Sequence, residues 1–225
     1  MEKSRIGDQV LYKNNQLIAF NKPATIPVQS DQTGSQSLLS LGEAYCHHPL
    51  HLIHRLDRPA TGVVLLAKNA KALAHLNEQF KNRTVTKTYL AVVKNRPPKE
   101  ADQIQHFLMK NGTTNKTSVS NTDIKGTKEA LLNYRVLGSS DHYHLLEIQL
   151  LTGRHHQVRA QLAAIKCPIK GDVKYGFRRA NKDRSIHLHA WKLMFHHPVT
   201  AEQETIVAPP PPDPVWDAFR MLLAD

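Results

Sequence analysis

Acidic residues, cysteines and long apolar runs are all scarce in this 225-residue chain, and each shortage excludes a class of protein. No uninterrupted apolar run exceeds about six residues, far short of the roughly 20 needed to span a bilayer, so no transmembrane segment is expected. The opening Met1-Glu2-Lys3-Ser4-Arg5 is charged and has no apolar stretch behind it, so no signal peptide is expected either. Cys46 and Cys167 stand in unrelated contexts without metal or redox spacing; a buried pair of reduced thiols in a cytoplasmic protein is the expectation. The doublets His47-His48, His155-His156 and His196-His197 have no companion Cys, Asp or Glu at ligand spacing, and H-E-x-x-H is missing, so no metal is expected. A phosphate-cradling glycine loop, G-x-S-x-G and a paired-carboxylate signature are missing as well, so no cofactor is expected.

What is abundant is positive charge. Thirty Lys and Arg stand against 19 Asp and Glu, a net +11, and that balance favours a polyanionic partner. With no strongly basic amphipathic helix to lie on a membrane, nucleic acid is the better fit. The cations are clustered. From Gln79 to Lys99 there is no acid, while Lys81, Arg83, Lys87, Lys94, Arg96 and Lys99 all fall there. A second basic strip runs from Lys166 to Arg184, interrupted by Asp172 and Asp183. Two such strips suit a phosphate backbone.

Hydrophobic patterning organises the chain as one α+β domain. Val10–Phe20 reads as two strands around Asn14-Asn15, residues 23–37 as a loop, and Ser37–Tyr45 as a short helix. Val63–Ala67 is a strand apolar enough to be covered on both faces. Asn69 caps a helix over Ala70–Lys81 whose Leu73, Leu76 and Phe80 form one stripe. Val85–Val93 alternates like a strand, with Lys87 and Tyr89 on one face, and Pro97-Pro98 closes it. Residues 110–128 suggest a polar hairpin or loop, and Ala130–Val136 and His144–Thr152 two further strands. A break at Gly153-Arg154 leads into a helix from His155 to Ile165, with Val158, Leu162 and Ile165 buried and Arg159 on the flank. A basic loop over 166–185, a strand over 186–195 and a short amphipathic helix over Val215–Leu223 complete the reading.

One acid stands out. His54-Arg55-Leu56-Asp57-Arg58-Pro59-Ala60-Thr61-Gly62 sets a carboxylate between two arginines in a turn, punctuated by Pro59 and Gly62, that feeds directly into the Val63 strand. Nearby cations favour the ionised acid, and a rigid strand behind the turn would present it at a cleft. Taken singly, Asp57 fits a surface ion pair, Tyr89 a half-buried strand tyrosine and Arg159 a solvated helix flank. Together, one acid, a phenol, guanidinium groups and a basic surface suit nucleophilic or base chemistry on a nucleotide.

Four blocks resemble the RNA pseudouridine synthases of the ribosomal large-subunit pseudouridine synthase A (RluA) family. They are Val10–Val28, ending in Asn21-Lys22-Pro23-Ala24-Thr25-Ile26-Pro27-Val28; His54–Asn69; Lys87–Val93, similar to K-x-Y-x-A-x-V; and Thr152–Gly176, similar to T-G-R-x-H-Q-[IV]-R followed by P-[IL]-x-G-D-x-x-Y-G. Leu188-His189-Ala190 is a weaker echo. The resemblance implies a single catalytic domain over residues 1–225, built on a mixed, mostly antiparallel sheet with flanking helices and a central basic cleft. It implies isomerisation of uridine to pseudouridine in ribosomal or transfer RNA, without cofactor or metal. Asp57 would be the catalytic carboxylate, whether by direct attack on carbon 1′ or through a glycal. Tyr89 would stack on the base and help remove the carbon-5 proton, and Arg159 would pair with Asp57. Arg55, His54, Arg154 and Leu188 would bind the substrate, Arg55 by holding the nucleotide out of its stack.

The pattern departs from the family's at Ala60, Thr61 and His155, and at Thr25, where glycine is usual. Only about nine residues precede the first strand, so target choice is expected to rest on the catalytic domain, acting as a monomer. A related reading, an RNA-binding assembly factor of the same fold, fits less well, because Asp57, Tyr89 and Arg159 are all present.

Overall fold

The computed structural model describes residues 5–30 and 34–223. Its elements follow one another as β1 (Val10–Lys13), β2 (Leu17–Lys22), α1 (Leu38–Cys46), β3 (His51–Leu52), β4 (Thr61–Ala67), α2 (Ala70–Lys81), β5 (Thr86–Val93), β6 (Ala101–Asn111), β7 (Lys116–Ser120), β8 (Lys128–Ser139), β9 (His144–Leu150), α3 (Gln157–Ala164), β10 (Leu188–His196), β11 (Gln203–Val207) and α4 (Pro214–Asp217). The fold is α+β with a mostly antiparallel sheet. Among the described residues no helix is long and apolar enough to cross a membrane. The chain forms two compact units. The first runs through Lys87 and takes in Ala190–Pro210; the second comprises Thr88–His189 and the segment from Pro211 onward.

In the first unit, β2 pairs antiparallel with both β1 and β4. Every residue of β4 is buried, as predicted for its apolar run Val63–Ala67. Period-two alternation sorts the side chains to two faces. Leu17, Ala19, Val63 and Leu65 join Leu76 of α2 and Phe195 of β10. Ile18, Phe20, Val64 and Leu66 join Leu38 of α1. Each fully buried Leu or Phe contributes about 2 kcal/mol, so β4 is held firmly from both sides. Both helices begin as the sequence predicts. The Ser37 hydroxyl accepts from the Ser40 amide at 3.1 Å, and the Asn69 side chain accepts from the Ala72 amide at 2.9 Å. Cys167 is buried but Cys46, at the exposed end of α1, is only half-buried, so the expected pair of buried thiols reduces to one.

The β2–β4 register places Lys22 opposite Gly62, which brings the Asn21–Val28 loop and the His54–Gly62 turn to the same strand ends. They are then clamped together. The Thr25 amide donates to the Arg58 carbonyl at 2.9 Å, and Arg58 Nε donates back to the Thr25 carbonyl at 2.8 Å. Arg58 Nη2 reaches the Ser35 hydroxyl at 3.1 Å. Gly62 has φ +114, and a Cβ there would lie 2.2 Å from the Ala190 carbonyl oxygen, so only glycine fits.

The second unit is an antiparallel sheet in which β5 pairs with β9, β9 with β8, β8 with β6 and β6 with β7. Three expectations change here. Strand β6 was not anticipated, although Ile104, His106 and Leu108 alternate as its buried face. Leu90–Val93 of β5 are buried on both faces rather than alternating. The expected helix over 215–223 is a single α turn, capped by Asp213 on the Val215 amide at 2.8 Å, then a 3-10 turn over Arg220–Leu222.

Thr25 has φ +70, a left-handed backbone that a β-branched residue adopts only under strain. Relief of about 1–2 kcal/mol of αL strain, less the extra unfolded-state entropy of glycine, should make Thr25→Gly about 0.5–1 kcal/mol more stable. A urea melt checks this through a raised midpoint at unchanged slope.

Candidate active site

Asp57 sits half-buried at the head of the turn, whose backbone closes with the Ala60 amide on the Asp57 carbonyl at 3.1 Å. Beneath it lies Lys22, completely buried, whose ammonium donates to the carbonyls of Pro23, Ile26 and Arg58 at 2.8, 3.0 and 3.1 Å. Burial pulls the Lys22 pKa down to about 7; the Asp57 charge opposes that shift, and Arg58 adds to it. One cation thus ties both loops together while sensing the carboxylate they present.

His54 is fixed inside the first unit. Its Nε2 accepts from the Leu65 amide at 2.9 Å, and its ring stacks on Phe80 at 5.3 Å. Burial, with help from the Lys87 charge, pushes its pKa down to about 4, so it is neutral and carries its proton on Nδ1. Arg55, next in the chain, is exposed.

The second unit holds the remaining candidates. Tyr89 is half-buried on β5, opposite Ile148 of β9. Leu188 opens β10 and is 4% exposed. Arg159 is not on an exposed flank, because α3 is enclosed along Gln157–Leu162. Its Nε and Nη2 make a two-pronged pair with Asp172 at 2.6 and 2.8 Å, with both side chains buried. A fork of this kind fixes the guanidinium plane. Asp172 is the residue that sequence reasoning passed over: it counted as a stray acid in a basic strip, although it is the acid of the Gly171-Asp172 step within the fourth block.

That block also shows why its polar residues recur at fixed spacing. The Thr152 hydroxyl donates to Gln157 Oε1 at 2.9 Å and accepts from the Leu131 amide at 2.9 Å. Gln157 Nε2 returns to the Leu131 carbonyl at 3.0 Å, and the Arg154 amide also donates to Gln157 Oε1 at 2.9 Å. Thr152 and Gln157 therefore bolt the start of α3 onto β8. Arg154, expected at the substrate, is half-exposed and anchored through Nε on the Glu129 carbonyl at 2.9 Å.

The sequence profile described as RNA pseudouridylate synthase matches residues 16–164. An uncharacterised RNA pseudouridine synthase of Mycoplasma pneumoniae is 36% identical over 84% of the chain, and ribosomal large subunit pseudouridine synthase C of Rickettsia conorii is 32% identical over 92%. The chain spans 62% of the first relative's length and 70% of the second's. Synthase C, rather than A, is the name these rickettsial sequences carry. The solved structure of human RNA pseudouridylate synthase domain containing 4 overlies 97% of this chain and 94% of its own at a TM-score of 0.77 and 26% identity. That of human RNA pseudouridylate synthase domain containing 1 does so over 97% and 90%, at 0.78 and 25%. With the family's pattern running through well over half of its length, this chain belongs to the RNA pseudouridylate synthase family.

Proposed function

We propose that this chain isomerises uridine to pseudouridine in ribosomal RNA, with Asp57 as the catalytic carboxylate, and that its two units act as one catalytic domain in the cytoplasm. The observation that carries the reading is the brace beneath Asp57: Lys22 and Arg58 lock the turn that displays it. The names of the rickettsial relatives favour ribosomal RNA as the substrate.

The reaction exchanges one glycosidic bond for another. Asp57 acts on the ribose and the N1–C1′ bond breaks, whether by attack on carbon 1′ or by the glycal route. The freed uracil turns, C5 bonds to C1′, the C5 proton leaves and N1 gains one. Tyr89 stacks on the base and assists loss of the C5 proton. Arg159, its plane set by Asp172, is the guanidinium partner that steadies the carboxylate. Arg55 holds the nucleotide out of its stack, and Leu188 supplies an apolar wall. His54, neutral and packed on Phe80, supports this arrangement from behind the turn.

Asp57→Asn should lower isomerisation by about 10³-fold or more while RNA affinity stays within a few-fold. Chemical mapping of pseudouridine in total RNA, from cells carrying either form, reads the outcome; an active Asn variant removes the acid from the mechanism. Tyr89→Phe should lower kcat about 10²-fold with little change in KM. Its stall is visible as an enlarged isotope effect on RNA deuterated at uridine C5, and normal turnover would contradict the assignment.

A further inference from the structure

The β6–β7 hairpin carries basic groups outside both basic strips of the sequence. Two hollows flank it. One, of about 390 Å³, is lined by Lys110, Lys128, Arg154 and His155, with Gly126 and Gly153 contributing no side chain to its wall. The other, of about 910 Å³, is lined by Lys110, Lys116, Thr114 and Ser118 of the hairpin and by Tyr175. Among the described residues, no Asp or Glu lines either hollow. Lys110 borders both, opposite Thr117 in the β6–β7 register, so the hairpin forms a ridge between them.

The ridge is rigidly mounted. Thr117 is buried; its amide donates to the Tyr175 phenol oxygen at 2.8 Å and its hydroxyl donates to the His155 carbonyl at 2.9 Å. Arg154 is pinned through Nε, which sets the orientation of its planar fork. Lys116 lies over the Tyr175 ring at 5.5 Å. Lys110, Lys116, Lys128 and Arg154 all line one or both hollows. The adjoining His156 imidazole has its pKa driven down to about 2 by burial and then by the charges of Arg159, His155, Lys174 and Lys110. Cations gathered around a hollow without a carboxylate repel one another until an anion enters. A chain of anions matches a seat that continues on both sides of a ridge, and half-buried Val119 with Met109, 40% exposed, offers apolar surface for bases between the phosphates.

We infer that the β6–β7 hairpin and the segment leading into α3 form a seat for the RNA backbone, with Lys110, Lys128 and Arg154 taking phosphates on one side of the ridge and Lys116 on the other. The inference rests on the proposed RNA substrate, and deepens it by assigning where the strand lies beyond the reacting nucleotide.

The test is a salt titration of binding by the full chain to a fluorescein-labelled oligouridylate of about 20 nucleotides. For single strands, each lost phosphate contact lowers the slope of log K against log salt by about 0.7, so K110Q/K128Q/R154Q should lower it by about 2 and weaken binding at low salt by about tenfold or more. An unchanged slope and affinity, with an unchanged melting temperature, overturns the proposal. Should the triple variant fail to fold, the pair K110Q/K128Q changes only exposed lysines and should lower the slope by about 1.4; no change there overturns it equally. Loss of phosphatidylserine-vesicle binding in the triple variant, with RNA binding intact, also overturns it. Pseudouridine formation is not read in this assay. An inactive chain that binds RNA with the expected slopes would sink the proposed activity and leave the seat standing.

Discussion

The candidate site rests on one ammonium group removed from water. Lys22 lies at the end of β2, where the chain leaves the sheet, and its three protons satisfy three carbonyls from two separate loops. Burying a cation is costly unless its hydrogen bonds are met, and here they are met entirely by backbone. The arrangement makes the two loops mutually dependent, since release of either strands the charge. Thr25 and Arg58 add reciprocal bonds across the same junction, which helps explain how a strained left-handed backbone at Thr25 persists. The junction thereby fixes the backbone of the turn that carries Asp57.

Much of the first unit was legible in the sequence because its signals are local. The Asn69 cap and the Val63–Ala67 run each specify their element within a few residues and formed as expected, while of the Leu73-Leu76-Phe80 stripe Leu76 is buried and the other two are half-buried. The second unit hid more, because its determinants are long-range. Nothing local reveals that α3 will be enclosed, so Arg159 looked solvated; its buried charge is met by Asp172, thirteen positions on and outside the helix. Strand β6 escaped notice because the alternation of Ile104, His106 and Leu108 passes through a histidine, which a hydrophobicity count treats as polar.

The motif blocks were legible as letters before they were legible as physics. Thr152 and Gln157 turn out to be carpentry, fastening a helix to a strand, whereas His54 is a neutral ring that receives a strand amide. A shared motif therefore mixes residues for the reaction with residues for the frame. Only hydrogen-bond partners separate the two kinds.

Gly62 belongs to neither kind. Its side chain offers no donor, acceptor, charge or apolar surface, yet the β10 backbone at Ala190 occupies the space a methyl group would need. Its contribution is the atom it does not have, and a survey for useful functional groups would pass straight over it. The closeness of two main chains is itself a feature the genetic code can write only as an omission.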